Sequence, residues 1–272
     1  MGSKRARMND DTSDIKEEGA AKGIQDAIFD GISNEYSANY KSNNTLKNIY
    51  FERRLELIKK TAVHIGPKKV LDLGCGSGEI SEAIAKACPN TQITLIDESQ
   101  CMLNKAKRKL SAENIDHKAY LGDLEKEMHP GKYDFVIVAG VLAYIENINA
   151  LARTCKNSAK NNKTLVAVQI TNHSHILHKL ARFAYNLRNG HGKSDLHYMR
   201  LKQWRITDVD QAMYKQSFEK VVENKFSFDL PGLMGAKMPR AIKKAMKLVD
   251  WFAGTDRLMI YMLKDRQSTE SC

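Results

Sequence analysis

The chain has 272 residues, of which 42% are hydrophobic, and this suits one domain of the larger kind with a proper core. Its 43 basic and 32 acidic residues leave a net charge of +11. This excess indicates either a polyanionic partner (nucleic acid, an anionic membrane or an acidic substrate) or simply a soluble enzyme with a basic surface, and the two interpretations are about equally favoured. No apolar run approaches the length of a membrane span or a signal sequence, so we expect a cytoplasmic protein.

The two ends of the chain look unlike its middle. Residues 1–22 are polar, charged and poor in aromatic side chains, which predicts a disordered leader. We expect one domain over 23–264 and a frayed tail over 265–272. The five cysteines show no paired spacing, which favours reduced thiols over a disulfide framework or a zinc site.

The first regular element is a helix. Apolar residues recur on one helical face and predict a helix that stops before Pro67. These residues are Ile49, Phe51, Leu55 and Ile58.

The next stretch, residues 70–80, reads VLDLGCGSGEI and predicts a buried strand, a glycine-rich turn and the start of a helix. Gly74, Gly76 and Gly78 let the backbone turn sharply and approach a ligand closely. The spacing differs from the dinucleotide fingerprint, because the third glycine comes one residue early. Asp72 would repel a pyrophosphate, but it suits a ligand that carries an ammonium or sulfonium cation.

The second strand also ends in an acid. Residues 91–97 predict a strand that finishes at Asp97, where a carboxylate can accept hydrogen bonds from both hydroxyls of a ribose. The segment 119–124 predicts a strand that ends in Gly-Asp, and the segment 132–144 predicts a strand that ends in Ala-Gly. In order and spacing, these segments resemble the landmarks of the class I S-adenosylmethionine-dependent methyltransferases.

The resemblance implies that S-adenosylmethionine is the cofactor, and it assigns roles to individual residues. An acid in the place of Asp97 holds the ribose, Met102 packs on the adenine, and Asp123 meets the adenine amino group. The residues that it implies for cofactor binding are Tyr40, Arg53, Asp72, Gly74, Gly76, Gly78, Asp97, Met102, Asp123, Leu124 and Ala139.

An N-terminal segment with aromatic residues and an arginine covers the cofactor in many small-molecule members of this family. The similar segment here implies that Tyr36, Tyr40 and Arg53 lie near the methionine end of the cofactor or the acceptor. Tyr36 and Tyr144 are the implied substrate contacts. The alternative is that the tyrosines only pack the helix on the sheet.

A fifth strand is predicted over 164–170, followed by an insertion over 171–204 that contains five of the eight histidines and an apolar helical segment. The family often builds its acceptor pocket at this place. The layout of the insertion resembles that of the quinone-biosynthesis O-methyltransferases.

Histidines of this insertion are the candidates for catalysis. We predict that His197, ahead of His173 and His191, deprotonates or orients an acceptor hydroxyl, because imidazole titrates close to working pH. A surface or capping role is the alternative for each of them. Their spacing does not match a helical zinc motif, so no metal is expected.

The C-terminal part predicts a sixth strand at 220–222 and 225–228, a basic amphipathic helix over 237–252 and a seventh strand at 258–263. The basic helix either packs on the sheet with a solvated face or lies on an anionic surface such as a membrane or RNA.

The family resemblance implies an α/β fold: a Rossmann-like, seven-stranded, mainly parallel sheet with one reversed edge hairpin, flanked by helices, with an N-terminal helical cover. The implied reaction is methyl transfer to a small-molecule or lipid-like hydroxyl. Alternatives are N-methylation of an amino sugar or metabolite amine, RNA methylation and a non-catalytic cofactor-binding partner subunit. The Asn/Asp-Pro-Pro-aromatic signature of exocyclic-amine methylation in nucleic acids is absent after the fourth strand, where the chain reads AGVL.

Overall fold

The computed structural model describes residues 40, 45–126, 131–189, 202–227, 230, 232–239, 245–246 and 254–264. Several predictions fall outside the described residues: the leader over 1–22, Tyr36, His191, His197, the tail over 265–272 and most of the basic helix over 237–252. None of the described helices is long and apolar enough to cross a membrane.

Helices and strands alternate through most of the described chain. In order they are α1 (Leu46–Ile65), β1 (Lys69–Leu73), α2 (Glu79–Ala87), β2 (Gln92–Asp97), α3 (Gln100–Ala112), β3 (His117–Leu121), β4 (Phe135–Val138), α4 (Ile148–Ser158), β5 (Leu165–Thr171), α5 (Ile176–Asn189), α6 (Ile206–Lys215), β6 (Phe218–Phe226) and β7 (Asp256–Leu263).

The strands form one seven-stranded sheet in the order β3-β2-β1-β4-β5-β7-β6. The first five of these neighbours are parallel, and β7 runs antiparallel to both β5 and β6. This confirms the predicted fold class, including the reversed edge hairpin. The sequence predicts the sixth strand in two pieces, but β6 is continuous, with an irregularity in its register between Lys220 and Val222.

The sheet is buried at its centre because its middle strands are continuous apolar runs. All four residues of β4 are fully buried, and Val70, Leu71 and Leu73 of β1 are equally inaccessible. Side chains of alternating direction feed two apolar cores, one on each face. The order changes direction at β1, which pairs with β2 on one side and β4 on the other, so a crevice forms at the carboxyl ends of β1 and β4.

Gly78 offers a test of how strongly α2 and α3 constrain the turn after β1. Its φ is +80°, and a Cβ there would lie 2.9 Å from the Cβ of Ala106 on α3. We expect the Gly78→Ala substitution to lower the free energy of unfolding through two effects. The left-handed backbone conformation costs about 1–2 kcal/mol, and overpacking against α3 costs about 1–3 kcal/mol. Gly66, which ends α1 with φ +61°, is the matched control, because a Cβ there would have no atom within 4 Å.

Gly66→Ala carries only the backbone strain, so it should lose clearly less stability than Gly78→Ala. Urea denaturation of both variants measures the difference. Equal losses of unfolding free energy in the two variants would show that packing of α3 against the turn does not restrict residue 78.

Candidate functional site

The glycine turn after β1 has the sharp geometry that its sequence predicts. Gly74, Gly76 and Gly78 all have positive φ, at +72°, +54° and +80°. A Cβ on Gly74 would overlap Cγ1 of Val141, so no other residue fits there without a shift of the neighbouring loop. The backbone N–H groups of Gly74 and Cys75 both donate to the carbonyl of Ile96 on β2, at 2.8 and 3.0 Å.

Asp97, the last residue of β2, holds this turn in place. Its Oδ2 accepts a hydrogen bond from the backbone N–H of Gly76 at 2.7 Å, and its Oδ1 accepts one from Ser99 at 2.9 Å. An ionised carboxylate has about four lone-pair positions and can accept several hydrogen bonds at once. Asp97 is therefore the type of side chain that can hold the turn and also accept from the hydroxyls of a ligand.

A groove runs along the turn and encloses about 110 Å³. We call it the glycine-turn groove. Met102, 2% exposed, and Leu124, 5% exposed, contribute apolar surface to its wall, and Asp97 contributes a carboxylate. The lining residues are Gly74, Gly76, Asp97, Glu98, Met102, Leu124, Gly140, Val141, Tyr144 and Ile145.

Asp72 lies beneath the turn and is not among the residues that line this groove. It is buried, and its Oδ2 accepts a hydrogen bond from Ser81 Oγ at 2.7 Å. Burial raises the pKa of Asp72 to about 6, with a smaller push from the charge of Asp97, while the bond from Ser81 and the charge of Arg54 act in the opposite direction.

Two other residues expected to bind the cofactor stand beside the groove. Asp123 Oδ1 accepts a hydrogen bond from the backbone N–H of Glu125 at 3.0 Å, and its neighbour Leu124 is the one that lines the groove. Ala139 is part of the core, and its neighbour Gly140 forms the wall.

A second and larger cavity, of about 520 Å³, opens above the ends of β4 and β5. We call it the large cavity. Its lining residues are Lys47, Tyr50, Phe51, Arg54, Gly140, Leu142, Ala143, Tyr144, Gln169, Ile170, Thr171, His173, Lys202, Trp204, Met234 and Gly235. Gly140 and Tyr144 belong to both walls, so the groove and the large cavity meet there.

The arginine at the large cavity is Arg54 and not the expected Arg53. Arg53 forms an ion pair with Glu56 at 2.8 Å, whereas Arg54 is only 2% exposed and donates a hydrogen bond to the hydroxyl of Tyr40. One residue along a helix is a rotation of about 100°, which is enough to move a side chain to another face. Arg54 follows Phe51 by three residues and precedes Ile58 by four, and this spacing within the predicted apolar face could have identified it.

Arg54 stands at the junction of the two spaces. Its guanidinium lies 4.6 Å from the ring centroid of Phe51. A Cβ on Gly140, whose φ is +80°, would clash with Nη1 of Arg54, so glycine leaves room for this cation. The arrangement places a positive charge next to the point where the groove opens into the large cavity.

Of the three predicted catalytic histidines, His173 is in the described part of the chain, and it lines the large cavity. Its Nδ1 lies 3.3 Å from Nε2 of His178, a buried partner that sequence reasoning missed. Burial, followed by the charges of His178 and Arg182, lowers the pKa of His173 to about 4. His173 is therefore neutral at neutral pH and acts there as a hydrogen-bonding group.

Sequence reasoning also missed three wall residues of the large cavity. Gln169 on β5 donates to the hydroxyl of Tyr50 and to Asp256 Oδ1, both at 3.0 Å. Trp204 donates through Nε1 to the carbonyl of Ile145 at 3.0 Å, and Lys202 Nζ lies 5.1 Å from the Trp204 ring centroid. No local sequence pattern marks these residues, since each meets the cavity through long-range packing.

The 171–204 insertion was expected to build the acceptor pocket, and its apolar helical segment forms α5. The apolar side chains of α5 do not line the large cavity within the described part of the chain, and His173, Lys202 and Trp204 are the residues by which the 171–204 segment reaches it beyond β5. Within the described residues, no group of three or more His, Cys, Asp and Glu side chains is arranged to hold a metal ion.

Comparison with known proteins agrees with this geometry. Residues 70–162 match the family model described as "Methyltransferase domain". The fold matches magnesium protoporphyrin IX methyltransferase from Synechocystis PCC 6803, solved with bound SAH, at a TM-score of 0.63 and 16% identity over 89% of this chain and 99% of that one. Residues 70–162 therefore contain a methyltransferase domain.

Two curated relatives match parts of this chain. Over 82 residues it is 39% identical to ribosomal RNA small subunit methyltransferase C of Haemophilus influenzae (strain PittEE), which is 30% of this chain and 24% of that protein. Over 109 residues it is 33% identical to ubiquinone biosynthesis O-methyltransferase of Bordetella pertussis (strain Tohama I), which is 39% of this chain and 44% of that protein. The chain thus spans less than half the length of either relative.

The raised pKa of Asp72 predicts how the stability of the protein depends on pH. The folded state binds a proton on Asp72 more tightly than the unfolded chain does, with a pKa of about 6 against 3.8. The unfolding free energy should therefore fall as pH rises from about 4 to about 6, by an amount on the order of 2–3 kcal/mol, and stay lower above that range. Asp72→Asn cannot ionise and should lack this part of the pH dependence.

Ser81→Ala is the informative companion variant. Because Ser81 donates to the ionised form of Asp72, its removal should raise the pKa further and extend the fall in stability to higher pH. Urea denaturation at a series of pH values measures all three proteins. Parallel profiles for wild type and Asp72→Asn would contradict the assignment.

Proposed function

We propose that the protein transfers a methyl group from S-adenosylmethionine to a hydroxyl of a small-molecule or lipid-like acceptor. The observation that carries this proposal is the meeting of the glycine-turn groove and the large cavity at Gly140 and Tyr144. Methyl transfer needs two ligands that approach each other through one opening, and these two spaces provide it.

The residues of the glycine-turn groove fit the cofactor. Asp97 presents carboxylate oxygens to the ribose hydroxyls, and Met102 and Leu124 present a buried apolar surface to the adenine. The turn carries no Cβ where the backbone must approach the ligand. S-adenosylmethionine, when bound, supplies the electrophilic methyl group on its sulfonium.

Two buried charges suit the amino-acid end of the cofactor. Arg54 at the junction is a guanidinium, the group that best matches a carboxylate. Asp72 lies under the turn with a raised pKa, and a nearby ammonium or sulfonium would favour its ionised form. In the proposed complex Tyr40, which accepts a hydrogen bond from Arg54, helps to hold that guanidinium in place.

The large cavity favours a hydroxyl or acidic acceptor over an amine. Lys47, Arg54 and Lys202 contribute positive charge to its wall, and no Asp or Glu is present among its described lining residues. A protonated amine would be repelled there. The aromatic rings of Phe51, Trp204 and their neighbours offer a surface on which a flat, apolar acceptor can pack.

His173 is the residue proposed to handle the acceptor hydroxyl. When its Nδ1–H donates to His178, its Nε2 is left as an acceptor for the hydroxyl proton. A pKa of about 4 makes this imidazole a weak base, so its main contribution is to orient the hydroxyl for in-line attack. His191 and His197 remain sequence predictions.

RNA methylation is the second candidate, and the +11 charge and the ribosomal RNA methyltransferase relative favour it. One assay distinguishes methylation of RNA from methylation of a small-molecule or lipid-like acceptor. Wild-type protein is incubated with methyl-labelled S-adenosylmethionine and a cell extract, and the label is followed into the organic phase, the RNA and the aqueous metabolites. We expect it in the organic phase.

Cofactor binding tests the role of Asp97. Asp97→Ala should weaken the binding of S-adenosylhomocysteine by roughly 1–3 kcal/mol, the size expected when hydrogen bonds to a buried ligand are lost. Asp116→Ala is the matched control, because Asp116 lies just before β3 begins, at the amino end of the parallel strands, whereas Asp97 lies at their carboxyl end. Calorimetry measures both. Unchanged affinity in Asp97→Ala, or failure of wild type to bind, would overturn the cofactor assignment.

Methyl-transfer assays test His173. Because His173 mainly orients the acceptor, His173→Ala should lower turnover, but by less than the roughly 10²–10⁴-fold that is typical for loss of a general base. We expect His173→Gln, which keeps a hydrogen-bond acceptor, to retain clearly more turnover than His173→Ala. His117→Ala on β3, away from both cavities, should behave like wild type.

Cofactor affinity should stay normal in each of these histidine variants, because His173 lines the large cavity and not the groove. Near-normal turnover of His173→Ala would remove this residue from the reaction and favour an amine acceptor, which needs no base.

A further inference from the structure

Helix α5 carries an apolar stripe that faces outward from the described part of the protein. Four large side chains on it are more than half exposed, with values between 55% and 65%. They follow each other at spacings of four, three and four residues and so share one face of the helix. They are Ile176, Leu180, Phe183 and Leu187.

The opposite face of α5 is held against the protein. His178 is 4% exposed and packs edge-on to His173, with ring centroids 4.8 Å apart. Tyr185 packs so closely on the turn at Gly232 that a Cβ there would come within 2.6 Å of Cδ2. The helix is therefore fixed in orientation, and its apolar stripe is turned away from the core.

Charge borders this stripe on both sides. At about 100° per residue, Lys179 falls on one flank of the stripe and Arg188 on the other. The sequence contains no Asp or Glu between residues 171 and 189. The outer surface of α5 is thus an apolar band between two cations.

We propose that this surface lies flat on an anionic lipid bilayer. The four apolar side chains would enter the boundary between head groups and acyl chains, while Lys179 and Arg188 extend to the lipid phosphates. A second copy of the chain would bring the same cations face to face, which costs free energy. A nucleic acid would meet the cations but leave the apolar side chains in water, so the bilayer is the partner that satisfies both features.

The location of α5 gives this contact a consequence for the reaction. His173 on the wall of the large cavity precedes the first residue of α5 by only three positions. A bilayer under α5 would therefore lie close to the large cavity and could deliver a lipid-like acceptor. This consequence rests on the proposed function, whereas the membrane contact itself does not.

Vesicle flotation tests the contact without cofactor or acceptor. Full-length protein is mixed with vesicles of phosphatidylcholine alone or of phosphatidylcholine with phosphatidylglycerol, at low and raised salt. Wild type should bind the anionic vesicles at low salt, less at raised salt, and the neutral vesicles weakly.

Two double variants separate the apolar and the charged contributions. Leu180→Ser with Phe183→Ser should weaken binding to anionic vesicles at least about tenfold, because less apolar surface enters the lipid. Lys179→Glu with Arg188→Glu should remove the preference for anionic vesicles. Val221→Ser with Val222→Ser is the matched control, since these β6 side chains are 44% and 45% exposed and lie on another element.

The outcomes are decisive in either direction. Equal vesicle binding by wild type and the Leu180/Phe183 variant would overturn the proposal, whatever other surface is responsible. Light scattering that shows a wild-type dimer and a monomeric Leu180/Phe183 variant would assign the stripe to contact between copies instead. Thermal melting and calorimetry with S-adenosylhomocysteine show that the variants stay folded, and they separate a failure of this proposal from a failure of the proposed function.

Discussion

The carboxylate of Asp97 is the contact on which the site depends. It joins the glycine turn after β1 to the start of α3, because one oxygen accepts from Gly76 and the other from Ser99. The turn has positive φ at three glycines and needs an external acceptor to hold its N–H groups in place. A single ionised side chain thus shapes the groove and presents its oxygens to a ligand.

The large cavity depends on a second set of polar contacts at the other end of the site. Gln169 links Tyr50 of α1 to Asp256 at the start of β7, and Asp256 also accepts from Thr171 Oγ1 at 2.7 Å. These groups are largely buried, so each needs a partner. The network connects the N-terminal helix, β5 and the reversed hairpin, and so gives the cavity walls from distant parts of the chain a common anchor.

Buried charge is concentrated where the two spaces meet. Asp72 below the turn and Arg54 beside Gly140 interact electrostatically, and burial still keeps the pKa of Asp72 near 6. The hydrogen bond from Ser81 and the charge of Arg54 offset the burial of Asp72 only in part, since its pKa stays above the ordinary value. A further positive charge nearby would favour the ionised form, which fits the cation of the proposed cofactor.

Sequence by itself determined the order of the strands along the chain, the glycine turn and the groove that belongs to it. These features are local: continuous apolar runs specify buried strands, and Gly74, Gly76 and Gly78 follow Asp72 within one segment. The family pattern pointed to Arg53, because a pattern matched by residue type does not set the phase of a helix. The spacing of Arg54 from Phe51 and Ile58 places it on the buried face of α1.

Only the tertiary structure decided which side chains face each other across long distances in sequence. The pairing of His173 with His178 depends on how α5 leaves β5, and the reach of Trp204 and Gln169 into the large cavity depends on packing between separate elements. An apolar stripe on a helix looks the same in sequence whether it faces the core or the outside. On α5 the packing of Tyr185 and His178 on the inner side turns the stripe outward, and that orientation arises from contacts that no local pattern specifies.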